Sequence, residues 1–298
     1  MSSSTGLNLP ADVAMSSASR WDGSVATIDS AGIATPAHAA VLSHVPMPGV
    51  FPRVHAEVGR YRLRLAQSAE DRDAACRLRF KVFNIELGKG LDASYETGLD
   101  TDQFDLFCEH LLVEDKVDRR VVGTYRMQSG LTAAENLGYY SEQEFDFAPY
   151  AGMRGEILEL GRASIDREHR TPEVLTLLWR GIAQYATEMG LRYLIGCSSL
   201  NSVDPREGWA MFGQLANYRV APELWTRPVD GWTCPEGMSE DGAEPVKVPK
   251  LLKTYLAIGA RISSEPAWDR EFGTIDFLTL LDLQTISSAA RNRFLAPL

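Results

Sequence analysis

The sequence predicts an α/β (α+β) fold, a mixed sheet with helices flanking its strands. Two observations carry this. Apolar strand patterns alternate with helical periodicity in the order strand, helix, hairpin, strand, helix, strand, helix, strand. One of those strands, residues 155–166 (G-E-I-L-E-L-G-R-A-S-I-D), is apolar enough for a sheet interior yet carries Glu159 and Arg162. A charge in such a place is costly unless it is paired or serves chemistry.

Residues 1–54 are rich in Ala, Ser, Gly and Pro with few charges, and read as a disordered leader. The domain is assigned to residues 55–298, with its first strand at 61–66 (Y-R-L-R-L-A). Ser68 then caps a helix whose first turn holds Glu70 and Asp71. Ala75, Leu78, Val82 and Ile85 make its apolar stripe to about residue 87, and Gly88 stops it. Residues 88–107 lack a period and hold Asp100, Asp102 and Asp105. A loop that long in a compact domain is usually functional or mobile.

Residues 109–114 and 119–127 form a hairpin around a turn at 115–118. A short acidic and aromatic connection, 138–147, leads to the charged strand. Alternation places Ile157, Glu159, Gly161 and Ala163 on one face and Leu158, Leu160, Arg162 and Ser164 on the other. Gly161 suggests a bulge there. Thr171-Pro172-Glu173 is a strong helix start, and Leu175, Leu178, Ile182 and Tyr185 face inward. A strand at 192–197 and a helix at 205–215 follow. Residues 225–249, rich in Pro, Gly and acid, read as an exposed insertion. A helix at 250–258 and an apolar strand at 274–283 complete the order.

Of the 298 residues 45% are hydrophobic, enough for a sizeable core. The net charge of -10 argues against a nucleic-acid partner, which requires a basic surface. Cys76, Cys108, Cys197 and Cys234 are too widely spaced for a zinc site or a disulfide framework, so no metal is expected. No apolar run approaches the roughly 20 residues of a membrane span, and no secretory signal is seen. The expectation is a cytoplasmic protein, with peripheral contact at the inner membrane left open. No Gly-rich phosphate loop of the dinucleotide or Walker type is present. Cys108-x-His110 reads either as a nucleophile pair or as a thiol beside a satisfied core histidine.

The remaining polar candidates form a pattern. Arg79 and Phe83 in the first helix, Asp102-x-x-Asp105, Arg126 and Glu159-x-x-Arg162 resemble the acyl-homoserine-lactone synthases by type, order and spacing. Taken from the residues alone, each of these charges also reads as a structural pair. A closer resemblance is to the bacterial ornithine N-acyltransferases. It is carried by R-L-R-F-K-V-F-N-I-E-L-G (77–88), D-Q-F-D-L-F-C-E-H-L-L-V (102–113), V-V-G-T-Y-R-M (121–127), Y-Y-S-E-Q-E-F-D-F (139–147) and E-L-G-R-A-S-I (159–165). The runs L-L-W-R-G-I-A-Q-Y (177–185) and R-Y-L-I-G-C-S-S-L (192–200) extend it over about residues 61–283.

The resemblance implies a GNAT-like acyl-CoA N-acyltransferase fold whose mixed sheet splays at its middle to admit the donor's pantetheine arm. The loop before the second long helix (D-R-E-H-R-T-P-E, 166–173) lacks the glycines of acetyl-CoA enzymes. That departure fits acyl carrier protein as donor substrate, with no other cofactor. Arg167, Arg170 and Thr171 are then the expected phosphopantetheine-binding residues, because helix N-termini hold phosphates. Docking an acidic carrier needs a basic face, for which Arg167, Arg170, Arg180, Lys247, Lys250 and Lys253 are candidates. Glu159 is the expected base for the attacking amine and Arg162 its donor-side companion. Arg79, Phe83, Asp102, Asp105 and Arg126 are expected to bind substrate, the charged members either directly or by bracing one another. The implied activity moves a 3-hydroxy fatty acyl chain to the α-amine of L-ornithine. Other amine acceptors, lactone closure, and a non-catalytic binding module are the alternatives.

Overall fold

The structure, a computed structural model, describes residues 52–236 and 245–294. The leader expected at 1–54 therefore lies outside the described residues as far as residue 51, as does the middle of the expected insertion. Among the described residues nine strands form one sheet: β1 (His55–Val58), β2 (Tyr61–Leu65), β3 (Glu109–Asp115), β4 (Arg120–Ser129), β5 (Ile157–Ile165), β6 (Tyr193–Leu200), β7 (Arg261–Ile262), β8 (Ala267–Asp269) and β9 (Thr274–Asp282). Their order is β1-β2-β3-β4-β5-β6-β9-β7, with β8 also on β9. Every pairing is antiparallel except β5 with β6. β1 is a strand the sequence pattern does not announce, and Val54 just before it is buried in the core.

The helices used below are α1 (Ala69–Phe80), α2 (Ser94–Thr97), α3 (Gly130–Glu135), α4 (Pro172–Glu188), α5 (Pro205–Gln214), α6 (Lys250–Ile258) and α7 (Ser288–Phe294). α4 lies across one face of the sheet. Val174, Leu178 and Ile182 meet Leu63, Leu111, Val113 and Leu158 in the largest core, to which Ile258 of α6 and Ala290 of α7 also belong. A second core, containing Tyr139, Phe147, Tyr150, Ile157 and Ile195, covers the opposite face.

Three local departures from ideal geometry build the site. The first is the splay. β5 and β6 stay in register only from Ile157–Tyr193 to Glu159–Ile195, and beyond that the strands separate. At the vertex a Cβ on Gly196 would lie 2.2 Å from the Leu160 carbonyl oxygen, so only glycine lets the strands close to that point before diverging.

The second is a bulge in β5. Arg126 pairs with Gly161 and Thr124 with Ser164, leaving two residues of β5 opposite one of β4. The bulge is centred on Arg162, whose φ of 52° lies in the left-handed region. A non-glycine residue there is strained by about 1–2 kcal/mol. The extra residue reverses the phase of the strand. Leu158, Leu160, Ala163 and Ile165 face the α4 core, so Arg162 joins Glu159 on the site face rather than opposing it as plain alternation predicts.

The third is a π-helical turn, Lys81–Glu86, that continues α1. The Leu87 amide bonds the Val82 carbonyl at 3.1 Å. The widened turn rotates the apolar stripe: Ile85, expected inside, is 60% exposed, and Asn84 is buried instead. Phe83, in the same turn, lines the splay. The stretch 225–236 also differs from the expected exposed insertion. Thr226 and Cys234 are buried, and bridges to Ser264 and Ala267 tie it to the sheet.

Replacing Gly196 by Ala is expected to destabilise the protein by about 1–3 kcal/mol, because backbone must move to admit the methyl. Equilibrium denaturation of Gly196→Ala against wild type measures this.

Candidate active site

A cavity of about 320 Å³ opens where β5 and β6 part. Its apolar end is walled by Tyr125, Trp179, Leu194, Leu252 and Tyr255, and its polar end by Arg126, Tyr140, Ser141, Glu159, Arg162 and Asp276. The Tyr125 and Tyr255 hydroxyls meet at 2.6 Å, joining β4 to α6 beside the apolar end.

Glu159 sits on the last paired rung before the splay. It accepts bonds from the Tyr140 amide (2.7 Å), the Ser141 amide (2.7 Å) and Ser141 Oγ (2.6 Å). Burial pushes its pKa up, and these donors pull part of that shift back. The result is a carboxylate held in one orientation at the cavity wall. The loop that supplies the donors is itself fixed: Glu142 accepts from the Tyr139 amide (2.7 Å) and from Arg154 (2.7 Å). Tyr140 and Ser141 belong to a stretch the sequence marks as an acidic and aromatic connection, and nothing in its composition assigns them to the site.

Arg162 and Arg126 stand beside Glu159 and are tied to the 100–105 loop. Arg162 Nη2 meets Asp102 Oδ2 at 3.0 Å, and Arg126 Nη1 meets Asp102 Oδ1 at 2.6 Å and Asp105 Oδ1 at 3.2 Å. The Arg162 guanidinium is sandwiched between the Tyr140 ring (4.8 Å) and the Phe272 ring (4.3 Å). Phe83 packs edge-on against the same Phe272 at 6.2 Å.

Arg79 does not line the cavity. It is 1% exposed and makes four bonds: Nε to Asp100 Oδ1 (2.7 Å), Nη2 to the Asp100 carbonyl (2.6 Å), and Nη1 and Nη2 to the two Asp105 oxygens (2.6 and 2.8 Å). Of the two roles the sequence leaves open for Arg79, Asp102 and Asp105, the geometry therefore gives bracing and not substrate contact. Burial disfavours the charged form of Asp105 and Asp102, but the guanidiniums outweigh it and hold both below the ordinary range. Asp100 is a member of this network that its place in an aperiodic loop does not reveal.

The cysteine–histidine pair resolves as well. Burial pushes the Cys108 thiol up to about 12, which leaves it unionised and a poor nucleophile. His110 is buried with Nε2 3.4 Å from the Asp105 carbonyl. Burial lowers its pKa to about 4.

Arg167, Arg170 and Thr171 are not at the cavity either. Thr171 caps α4 by accepting from the Val174 amide (3.5 Å), and Arg170 bonds the Ile165 carbonyl (3.1 Å) and Glu86 (2.5 Å). Arg170 and Thr171 do line a separate surface depression with Thr176 of α4 and Lys253 of α6. Arg167 is exposed beside it. No helix among the described residues is long and apolar enough to cross a membrane.

The chain is an acyltransferase of the GNAT class: its sheet is mixed and splays at its middle, and the profile of the acetyltransferase (GNAT) domain family matches residues 78–180. Three curated relatives are each named "L-ornithine N(alpha)-acyltransferase". The one from Agrobacterium fabrum is 32% identical, covering 80% of this chain and 85% of its own. That of Rhodobacter capsulatus is 31% identical over 78% of this chain and 93% of its own, and that of Rhizobium meliloti 31% over 90% and 94%. The chain belongs to this L-ornithine N(alpha)-acyltransferase family.

Replacing Arg79 by Leu removes the main partner of two buried carboxylates, Asp100 and Asp105, and is expected to cost about 3–5 kcal/mol, read as a lowered denaturation midpoint. A second expectation concerns pH. His110 titrates near 6.5 when unfolded and near 4 when folded. Between those values only the unfolded chain binds the proton, so the stability His110 contributes is present above pH 6.5 and lost as pH falls toward 4. Its size is up to about 3 kcal/mol. A His110→Gln variant should show a correspondingly shallower loss across that window in melts taken pH by pH.

Proposed function

We propose that the protein transfers a fatty acyl group from a thioester to the α-amine of L-ornithine, and that the donor is acyl carrier protein. The observation that carries the reaction is Glu159, a buried and oriented carboxylate at the fork of the sheet, in a chain whose family is named for this activity.

The chemistry follows from the positions. An α-ammonium near pKa 8 must lose a proton to attack. A carboxylate with a raised pKa takes that proton, directly or through one water, more readily than an exposed one. The amine nitrogen bonds to the thioester carbonyl carbon, and collapse of the tetrahedral intermediate expels the pantetheine thiolate, which takes up the proton. The β5 edge beyond Glu159 has no register partner on β6. Its amides are the proposed oxyanion donors. Arg162 offsets the negative charge gathered around the reacting carbonyl. The acyl chain runs toward Trp179, Leu194, Leu252 and Tyr255.

The donor's single phosphate is assigned to the depression at the start of α4. Arg170, Thr171 and Lys253 line it, and the helix N-terminus favours an anion. Lys247, Lys250 and Lys253 are all exposed. They give an acidic carrier a basic landing strip on a chain that is acidic overall.

Glu159→Gln is expected to lower kcat by about a hundredfold or more while leaving the melting temperature near that of wild type. Near wild-type turnover removes Glu159 as the base. Wild-type activity should fall as pH drops through the raised Glu159 pKa, and ornithine should be acylated faster from the carrier-protein thioester than from acyl-CoA. No thiol release with either donor overturns the reading.

A further inference from the structure

On the far side of Ser141 from Glu159 lies a second group of acids that the acyl-transfer chemistry does not use. Glu144 is fully buried, and neither of its carboxylate oxygens has a hydrogen-bond partner among the described residues. One oxygen lies within 4.8 Å of Cys197 Sγ and of an Asp276 oxygen. Asp276 and Asp269, both nearly buried, line the cavity, as does Cys197. Asp276 accepts from Thr274 Oγ1 (3.0 Å) and Asp269 from the Phe272 amide (2.8 Å), with Ser199 and the Glu271 backbone also lowering their pKa values.

Among the described residues no guanidinium is bonded to this group, and Arg162 offsets its charge only in part and at a distance. Arg79, Arg126 and Arg162 are bonded to Asp100, Asp102 and Asp105. Among the described residues Glu144, Asp269 and Asp276 form no ion pair with any Lys, Arg or His. Burial drives the pKa of Asp276 up to about 6 and that of Glu144 well above the carboxylate range; Asp269 raises both further, and Asp276 raises Glu144. Such a cluster is stable as an apo-protein only by holding protons, and an incoming cation would let it ionise.

We infer that Glu144, Asp276 and Asp269 form the subsite for the side-chain ammonium of the diamino-acid acceptor, and so set the enzyme's choice of amine. The inference rests on the ornithine reading above and names its recognition element. The distances agree with it. Glu159 reaches Ser141 Oγ at 2.6 Å, and Cys197 Sγ is 3.4 Å from that hydroxyl. The acids begin within 4.8 Å of Cys197. The two amines of ornithine, separated by three methylenes and the α-carbon, lie about 6 Å apart when extended. With one amine at Glu159, the proposal sets the other among the acids, which these contacts keep within a short reach of Glu159. Oxygens of Glu144 and Asp276 within 4.8 Å of each other also suit one ammonium donating at about 2.9 Å to both. A neutral side chain in the same place would leave buried carboxylates unpaired, and that mismatch is what gives large discrimination.

The test compares the purified full-length protein with ornithine and with norvaline, which has the same carbon chain and no terminal amine, using one acyl donor. Wild type should favour ornithine by about a thousandfold or more in kcat/KM. In Asp276→Asn and Glu144→Gln that ratio should fall by about a hundredfold, through loss of ornithine turnover rather than of norvaline turnover. Circular dichroism melts report folding; if one variant does not fold, the other and the wild-type ratio decide. Comparable acylation of both amino acids by wild type overturns the subsite while leaving the acyltransferase intact. So does an unchanged ratio in a folded variant. Loss of ornithine turnover on chelation, restored by zinc or manganese, also overturns it, since the acids then hold a metal. No acylation of either amino acid removes the ornithine reading, and the subsite with it.

Discussion

The site depends on keeping three guanidiniums in a place that water scarcely reaches. Arg79, Arg126 and Arg162 come from a helix and two strands, and the carboxylates that answer them, Asp100, Asp102 and Asp105, all come from one loop. Each ion is affordable only because its partners are fixed. The loop in turn is fixed only because those ions hold it. Arg79 closes the circle from behind, out of reach of any substrate. Its buried fork positions Asp105, Asp105 with Asp102 positions Arg126, and Asp102 positions Arg162. The residues that face the cavity are thus the visible end of a chain of contacts that begins inside α1.

The sheet supplies the other half. Three paired rungs hold β5 to β6, and past them the strands part to make room for a substrate. Glu159 stands on the last rung, where the backbone is still rigid but one side is already open. The bulge one turn of the pleat later brings Arg162 to the same side. A regular strand would have given the enzyme either the glutamate or the arginine at the cavity, not both.

Much of this was legible in the residues, and the gaps have physical causes. Glu159 and Arg162 stand out because charge on an apolar strand demands an explanation. Asp276 presents the same anomaly in T-I-D-F-L-T-L-L-D-L, but the run is so apolar that one acid reads as a strand end. Glu144 lies in an acidic connection without a period, where no rule separates a buried acid from a solvated one. The phase of β5 beyond Gly161 and the rotation of the stripe after Phe80 were both misjudged for one reason. A single inserted residue, as bulge or π turn, reverses or rotates everything after it; Gly161 marks the bulge but not the change of phase that follows, and the π turn leaves no mark in the periodicity. The capped start of α4 and the hairpin of β3 and β4 needed no such correction, because their signals are local.

The π turn after α1 has a consequence for how this cavity can change. Side-chain direction in a helix is set by counting, so the widened turn that contains Phe83 also decides that Asn84 goes inside and Ile85 to solvent. Loss of a single codon in that stretch would restore ordinary winding and rotate the side chains that follow, including Asn84, which holds the Leu91 carbonyl, and Glu86, which holds Arg170. The shape of the acceptor chamber is therefore adjustable in whole-residue steps as well as by substitution, and lineages of this fold have a discrete route to new pocket outlines that comparison of residue identities alone would overlook.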